Sequence, residues 1–337
     1  MSHQFDVVAV GGVVRDVTFY TNKGRVFKTP ENLTEQRMLG FEYGAKIPIH
    51  EAYFTLGGGA ANAANVFSLL ELKTAILCRV GDDKEGENIR DKLKDKNIHL
   101  DFMQKDASLG SGASFIICSG KKEHEHIVFT YRGANESLEI TENILQGIDT
   151  HYYYVSSLSG DNWMRGFKAM VTHAKKNHSK LAWNPGSAQI QAGKKMLENE
   201  LKKIDILILN KDEAIEFVLT GIKIGKRNPK FLNKTLYLLN MLSDWGPKTV
   251  VITEGVKGAS VLHFGKFYKT KSIKRKAINT TGVGDAFGAT FVAALLENSK
   301  DVQRALRMSA INSANIVTKI GAQEGALSKE ELSEKIK

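Results

Sequence analysis

The chain has 337 residues, of which 42% are hydrophobic and 25% charged, and its formal net charge is +10. This composition is typical of an enzyme-sized globular protein with a substantial core. Only two cysteines occur, Cys78 and Cys118, both inside apolar runs, which argues against a disulfide framework and a cysteine-based zinc site. The basic residues are scattered over many segments, so they predict a basic solvated surface that can attract anionic substrates, not a nucleic-acid-binding stripe.

The sequence also argues against membrane association. No run approaches the roughly 18–20 apolar residues that span a bilayer. The segment MSHQFDVVAV lacks the basic leader and long apolar stretch of a signal peptide. Together with the low cysteine content, these features predict a cytoplasmic protein.

Short apolar runs alternate with helical periods along most of the chain, which is typical of layered α/β proteins. The predicted strands are residues 5–10, 74–80, 152–157, 180–184, 204–210 and 248–253. The predicted helices are residues 60–72, 84–96, 163–176, 211–219, 230–243, 284–297 and 301–318. Several strands are apolar on consecutive residues, so we expect helices on both faces of a doubly wound, mostly parallel sheet. Because no linker divides these elements, residues 1–337 are predicted to form one domain.

Two regions depart from this alternation of predicted strands and helices. Residues 18–54 are polar and too long to be left without structure in a compact domain, so we expect strands or a flap there. Residues 113–118 and 126–131 flank the segment SGKKEHE and predict a β-hairpin. Together these regions predict a small β lid built from about residues 13–56 and 108–132.

A glycine cluster precedes the first predicted helix in the segment TLGGGAANAAN. It contains Gly57, Gly58 and Gly59, and Asn62 follows one turn into the helix. Glycine permits close approach of the backbone, and a helix N-terminus offers free N–H donors to a ligand. The pattern is equally compatible with a tight loop beside a closely packed helix.

The segment NTTGVGDAFGATF is more specific. Gly282, Val283 and Gly284 are expected to turn the chain so that successive N–H groups point into one concavity at the start of an apolar helix, which favours an anion. Asp285 lies in the first helical turn. It is either an ordinary helix-start acid or the base that phosphoryl transfer to an alcohol requires.

A dinucleotide-binding loop is disfavoured. Gly282, Gly284 and Gly288 give the spacing GxGxxxG, not GxGxxG, and they lie near the carboxyl end of the chain. The early pair Gly11 and Gly12 also lacks the fingerprint, and no Walker A loop occurs. The sequence therefore argues against a nicotinamide-dependent oxidoreductase.

Two further groups follow predicted strands. Asn210 and Glu213 have a spacing that orients water, Mg²⁺ or phosphate oxygens, or that simply caps a helix. Thr253, Gly255 and Gly258 are compatible with a flat loop under a nucleotide or with an ordinary turn. Carboxyl ends of strands in such sheets are the usual place for ligand contacts.

The polar segment of the hairpin contains Glu123, His124, Glu125 and His126. These residues could suggest a metal site. Alternating polar residues on an exposed hairpin explain the pattern more simply, so no metal is expected there.

Four segments in this order, GGGAANAAN, NKDE, TEGVKG and NTTGVGDAF, resemble those of the ribokinase-like, PfkB-type carbohydrate kinases, which include nucleoside kinases. The resemblance covers nearly the whole chain, and the last segment is its most specific motif. It implies a doubly wound α/β domain with a small β lid. It also implies phosphorylation of a hydroxymethyl group of a sugar or nucleoside, with ATP and Mg²⁺. A sugar-phosphate kinase and a non-catalytic sensor of the same fold remain alternatives.

The resemblance implies a role for each matching residue. Asp285 matches the catalytic base, and Glu213 is associated with Mg²⁺ indirectly. The other positions are Gly282, Val283 and Gly284 for the anion hole, Asp16, Gly57, Gly58, Asn62 and Arg132 for the acceptor, and Asn210, Glu213, Thr253, Gly255, Gly258 and Thr281 for the nucleotide.

Departures from the family pattern bear on the acceptor. Gly59 stands where ribokinase and the phosphosugar kinases usually have lysine, which favours an unphosphorylated sugar or nucleoside. Arg15 or Arg132 could still supply charge for an acidic or phosphorylated acceptor. Lid aromatic residues are compatible with stacking on a base or with a small lid core: Phe19, Tyr20, Phe129 and Tyr131.

A second departure is Asn279, where many relatives have an aspartate that helps to bind an activating monovalent cation. A neutral amide is expected to bind K⁺ less well, so weak or absent K⁺ activation is predicted. Exposed edges of the lid are also compatible with a homodimer formed through the lid, as in some relatives.

Overall fold

The structure, a computed structural model, describes residues 4–28, 37–119, 126–225 and 229–336. Its strands, in chain order, are β1 (Phe5–Val10), β2 (Val14–Thr21), β3 (Arg25–Lys28), β4 (Arg37–Gly40), β5 (Glu51–Gly57), β6 (Thr74–Gly81), β7 (His99–Asp106), β8 (Ala113–Ser119), β9 (His126–Tyr131), β10 (Thr150–Val155), β11 (Lys180–Trp183), β12 (Ile206–Asn210), β13 (Thr249–Thr253), β14 (Ala259–His263) and β15 (Lys266–Thr270).

The α-helices alternate with these strands. They are α1 (Gly59–Leu69), α2 (Lys84–Asp95), α3 (Glu142–Gln146), α4 (Trp163–Lys176), α5 (Ser187–Leu201, interrupted at Gly193), α6 (Lys211–Leu219), α7 (Thr235–Asp244), α8 (Val283–Glu297), α9 (Val302–Ile316) and α10 (Lys329–Ile336). Short 3₁₀ turns occupy Gly133–Ser137, Pro229–Asn233 and Gly255–Lys257.

Nine strands form the main sheet in the order β15-β14-β13-β12-β11-β10-β1-β6-β7. The pairs from β13 to β7 are parallel, and only β14 and β15 join antiparallel. From β1, the strands β6 and β7 are added on one side of the sheet. The strands from β10 to β15 are then added in chain order on the other side of β1. The confirmed fold is therefore a doubly wound, mostly parallel α/β sheet.

Helices cover both faces of this sheet. Along β1, Val8 and Val10 pack into a core on one face that includes Trp183 and Phe217. Val7 packs on the opposite face in a core that includes residues of α1, α8 and α9. Strands buried on both sides read as near-continuous apolar runs, which is why the sequence predicted them correctly.

A separate small sheet has the order β5-β2-β8-β9. Strands β8 and β9 pair antiparallel, which confirms the predicted hairpin, while residues 120–125 between them lie outside the described residues. Glu123, His124 and Glu125 are among these residues, and the side chain of His126 is likewise not described. The polar region of residues 18–54 contributes the second half of β2, all of β3 and β4, which pair with each other, and most of β5.

Several elements were not predicted from the sequence. Strand β7 is an edge strand with mostly polar or half-exposed residues, and β14 and β15 extend the sheet beyond the parallel strands. Helix α5 has a mixed polar sequence with an internal glycine at position 193. The helix predicted at residues 230–243 is divided into a 3₁₀ turn and α7. None of the helices in the described parts of the chain is long and apolar enough to cross a membrane.

Candidate active site

The first turn of α8 lies at the centre of the candidate site. Helix α8 packs against α1 and α9, and every residue from Ala286 to Leu295 is buried, so the helix end is held rigidly. Gly282 caps the helix with φ 76°, a left-handed conformation that favours glycine. A Cβ at this position would lie 2.5 Å from the carbonyl oxygen of Ala322. Both observations favour glycine at this helix end, where the first backbone N–H groups have no partner within the helix.

Asp285 is in this turn and contacts Asn62. The Nδ2 of Asn62 donates a hydrogen bond to Oδ2 of Asp285 at 2.8 Å. Burial raises the pKa of Asp285 to about 6, and the hydrogen bond from Asn62 opposes this rise. The carboxyl group thus titrates close to neutral pH, where a general base works efficiently.

On one side of this turn is the smaller cavity, with a volume of about 210 Å³. It lies at the carboxyl ends of β1 and β10, where the strand order reverses, and the small sheet covers it. Among its lining residues are Gly12, Asp16, Gly58, Asn62, Ser114, Arg132, Asn135, Ser157, Gly282 and Asp285.

Asp16 on β2 is the second buried carboxyl group of the smaller cavity. Burial raises its pKa to about 6, while a hydrogen bond from Ser114 opposes the rise. Gly57 is required beside it, because a Cβ there would lie 2.0 Å from Oδ2 of Asp16. The two carboxyl groups and the amide of Asn62 give the cavity groups that can bind hydroxyls.

On the other side of α8 is the larger cavity, of about 580 Å³. Thr253, Gly255 and Gly258 line it together with Val283 and Gly284. The sequence also predicted Thr281 for this side. It lines the smaller cavity instead, and its Oγ1 is buried without a hydrogen-bond partner among the described residues.

Asn210 and Glu213 line neither of these two cavities. They form a capping box at the start of α6, in which each side chain accepts a hydrogen bond from the backbone N–H of the other at 2.8 Å. Burial raises the pKa of Glu213. Its Oε1 has no hydrogen-bond partner among the described residues, so one hard oxygen donor remains for Mg²⁺. No group of three or more metal-ligating side chains occurs in the described parts of the chain.

The two arginines considered for acceptor charge differ in position. Arg132 lines the smaller cavity. Arg15 does not, because its Nη1 pairs with Oε2 of Glu85 at 2.7 Å and its guanidinium lies over Phe54. Of the lid aromatic residues, Tyr131 lines the smaller cavity, whereas Tyr20 packs edge-on against Tyr53.

Several lining residues were not predicted from the sequence. Asn135 links the residue before β2 to the residue after β9. Its Oδ1 accepts a hydrogen bond from the N–H of Val13, and its Nδ2 donates to the carbonyl oxygens of Val13 and Arg132. The sequence RGAN after β9 was an available signal for it. On the larger cavity, the missed residues are Ser272, Ile273, Lys274, Arg275, Ala277, Ala310, Ser313, Ala314 and Val317. They come from a loop and from one face of α9, and no motif marks them.

Comparisons with known proteins identify the class. Residues 30–329 match the description pfkB family carbohydrate kinase. A ribokinase of Haemophilus influenzae is 29% identical over 280 residues, which cover 82% of this chain and 86% of that protein. A nucleoside kinase of Methanothermobacter thermautotrophicus is 26% identical over 96% of this chain and 93% of its own.

Solved structures have the same fold. An Arabidopsis thaliana ribokinase complexed with ribose and ATP has a TM-score of 0.78 at 20% identity, covering 99% of both chains. A Methanocaldococcus jannaschii nucleoside kinase has a TM-score of 0.76 at 20% identity, covering 100% of this chain and 99% of that one. The protein is a phosphotransferase that acts on an alcohol group. More narrowly, the chain belongs to the pfkB family of carbohydrate kinases.

Proposed function

We propose that this protein transfers the γ-phosphoryl group of ATP to a hydroxymethyl group of a sugar or nucleoside, with Asp285 as the base. The observation that carries the proposal is the position of Asp285, a buried carboxyl group in the first turn of α8, between two cavities. Family membership and relatives named ribokinase and nucleoside kinase support the substrate class.

Each of the two substrates is assigned to one of the two cavities. The acceptor occupies the smaller cavity, where Asp16 and Asn62 bind its hydroxyls and direct the hydroxymethyl group to Asp285. ATP occupies the larger cavity, over the loop of Thr253, Gly255 and Gly258. Among the solved relatives, one is described as a complex with ribose and ATP, one with inosine and one with ADP, which supports a nucleotide and a sugar or nucleoside as the two ligands.

Catalysis then needs one proton transfer and one site of charge stabilisation. Asp285 accepts the proton of the attacking hydroxyl as the bond from its oxygen to the γ-phosphorus forms. The bond between the γ-phosphorus and the β–γ bridging oxygen breaks, and ADP leaves with that oxygen. The backbone N–H groups of Gly282, Val283 and Gly284 stabilise the charge on the transferred phosphoryl group. Mg²⁺, held indirectly near Glu213, would neutralise charge on the phosphates of ATP.

We propose further that the small sheet acts as a lid on a single domain. Its strands β2, β8 and β9 contribute Asp16, Ser114 and Thr130 to the smaller cavity. Closure over the acceptor excludes water and so suppresses hydrolysis of ATP.

An unphosphorylated acceptor fits the cavity better than a sugar phosphate. No lysine occupies position 59, and a Cβ added to Gly59 would lie 2.8 Å from Cβ of Ser156. Among the described residues that line the smaller cavity, Arg132 is the one with a cationic side chain. A sugar-phosphate kinase remains the alternative because Arg132 is able to pair with a phosphate.

The test is an ADP-release assay with a panel of acceptors at fixed ATP and Mg²⁺. The panel contains ribose, fructose, ketodeoxygluconate, fructose phosphates, ribose 1-phosphate, adenosine, cytidine and guanosine. We expect saturable ADP release with an unphosphorylated acceptor. If a folded sample is inactive with every acceptor and with other phosphoryl donors, a non-catalytic sensor becomes the better interpretation.

Potassium dependence is predicted to be weak. Oδ1 of Asn279 accepts a hydrogen bond from the N–H of Thr281 at 2.6 Å, and the side chain has no charge to attract a cation. The rate is therefore expected to change less than about two-fold when K⁺ replaces tetramethylammonium at constant ionic strength. A many-fold activation by K⁺ would contradict the prediction.

A homodimer formed through the lid also remains a prediction. Phe54, Phe115 and Phe129 occupy one cross-strand row of the lid and are all exposed. An apolar row of this kind supports pairing with a second copy. Sedimentation equilibrium of the intact chain measures it directly.

A further inference from the structure

A loop near the carboxyl end packs against the start of α8 and contacts Asn62 of α1. Residues 321–325 follow α9, and the carbonyl oxygen of Ala322 lies directly against Gly282. Two buried or half-buried bonds attach this loop to α9: Nδ2 of Asn315 donates to the carbonyl oxygen of Gly325, and the N–H of Leu327 donates to Oδ1 of Asn312, each at 2.9 Å. The loop is thus fixed to the helix that supports α8.

One side chain of this loop reaches the catalytic carboxyl group through a single intermediate. Nε2 of Gln323 donates to Oδ1 of Asn62 at 3.0 Å, and Nδ2 of Asn62 donates to Oδ2 of Asp285 at 2.8 Å. Gln323 is 3% exposed and Asn62 is 4% exposed, so water does not compete readily for these bonds. Oε1 of Gln323 is buried without a hydrogen-bond partner among the described residues. Within that part of the chain, the side chain of Gln323 makes its hydrogen bond to Asn62.

We propose that Gln323 is a positioning residue, which holds the amide of Asn62 with its NH₂ group toward Asp285. The inference rests on the proposed role of Asp285 as the base. An amide is two-faced: its NH₂ group pairs with an ionised carboxylate, whereas its oxygen pairs only with a protonated carboxyl group. By donating to the oxygen of Asn62, Gln323 leaves the NH₂ group for Asp285. The loop that carries Gln323 thereby favours the ionised form of Asp285, which is the form that accepts a proton.

Removing this donor changes the preference. In Gln323→Leu the Asn62 amide is free to rotate, and its oxygen can accept a hydrogen bond from protonated Asp285. The pKa of Asp285 is then expected to rise by roughly 0.5–1 unit. Other ionisable groups stay in place in the variant. Asp16 on β2, Glu213 on α6 and Tyr154 on β10 interact electrostatically with Asp285. Arg132 lines the same cavity, and Glu324, on the loop of Gln323, interacts with Asp16.

The experiment measures this pKa without relying on turnover. Full-length protein labelled with ¹³C at the aspartate carboxyl carbons is titrated by NMR, and the Asp285 signal is assigned by its absence in Asp285→Asn. The wild type is compared with Gln323→Leu and with Gln323→Met. Methionine has nearly the shape of glutamine, so the second variant serves if leucine packs poorly. Asn315→Leu is the matched control, because it loosens the same loop without touching Asn62.

The proposal predicts an upward shift of the Asp285 midpoint in both Gln323 variants and none in Asn315→Leu. With an active acceptor, kcat/KM at pH 6 should fall about two- to six-fold while the value at pH 8 changes less than two-fold. In the background Asn62→Ala, a change at position 323 should add no further shift. An unchanged midpoint in a folded Gln323 variant, or an equal shift in the control, overturns the inference. Wild-type inactivity with every acceptor would instead count against the proposed function.

Discussion

Replacing Asp285 by asparagine is expected to lower phosphoryl transfer by about 10²–10⁴-fold while ATP still binds. Asparagine keeps the shape of the side chain and its place beside Asn62, but it cannot accept the proton of the acceptor hydroxyl. Single-turnover phosphorylation and calorimetric titration with ATP measure the two quantities separately. The control is Asp212→Asn, which removes an exposed carboxylate from the start of α6 and should leave both unchanged. Near-normal turnover in Asp285→Asn would contradict the mechanism.

The same variant should be more stable than the wild type above neutral pH. Asp285 has a pKa of about 6 in the folded protein, above its ordinary value of 3.8, because burial disfavours the ionised form. The stability linked to this group is therefore fully present below about pH 4 and is lost as the pH rises through about 6. Asparagine removes that loss, so at pH 8 the free energy of unfolding should increase by about 1–3 kcal/mol. Thermal denaturation at pH 5 and pH 8 measures the difference, which should be smaller at pH 5.

In the wild type, the same pKa sets the pH dependence of the reaction. Because the base must be ionised, kcat/KM should rise with pH and level off above about 6. Asp16, with a pKa also raised to about 6, contributes to the same limb of the profile. A profile that falls through this range would argue that the carboxyl groups act as acids instead.

Replacing Gly282 by alanine is expected to damage both the fold at the helix end and catalysis. The residue has φ 76°, and the added Cβ would lie 2.5 Å from the carbonyl oxygen of Ala322, so the loop or the helix end must move. The left-handed conformation alone costs an L-residue roughly 1–2 kcal/mol. Displacing the N–H groups that we propose stabilise the transferred phosphoryl group should reduce kcat by about 10²–10³-fold.

Gly284→Ala is the matched control for this variant. A Cβ at Gly284 meets no heavy atom within 4 Å, and alanine is favoured over glycine inside a helix by roughly 1 kcal/mol. Its thermal midpoint should therefore equal or exceed that of the wild type, while the methyl group projects toward the larger cavity and raises KM for ATP. If both variants had the same stability, the strain assigned to Gly282 would be wrong.

Much of the main sheet was predictable because its strands are apolar on consecutive residues. Residues 5–10 of β1 and 163–176 of α4 were predicted with their observed bounds. Edge strands carry no such signal, since solvent-facing residues are free to be polar. This is why β7 and β15, the two edge strands of the main sheet, were missed. Strand β14 lies between β13 and β15 and is mostly buried, so edge exposure does not explain why it was missed.

The glycine-rich segment around Asp285 was the most specific local signal in the sequence. Glycines beside an acid at the start of an apolar helix have few structural explanations, and the structure places Asp285 beside Asn62, which was also predicted. The partner of Asn62 was not predictable, because Gln323 is 261 residues away along the chain. Contacts of this kind depend on tertiary packing and leave no local pattern.

Asn210 and Glu213 illustrate the limit of a motif. The spacing N-x-x-E predicts either a capping box or groups for Mg²⁺ and phosphate, and the side chains do form the capping box. One carboxylate oxygen of Glu213 is occupied by that cap and the other is not. The pattern alone could not separate the two interpretations, because the residues that satisfy the helix end also leave an oxygen for an ion.

The most direct test of the central claim is the identity of the product. With the best acceptor from the panel, ATP and Mg²⁺, ³¹P NMR of the wild-type reaction should show a new phosphomonoester whose phosphorus couples to the protons of a hydroxymethyl carbon. Asp285→Asn should form this ester at least about 100-fold more slowly. The proposed mechanism is contradicted if the ester forms at the same rate in Asp285→Asn, or if the phosphoryl group is transferred to a different group of the acceptor.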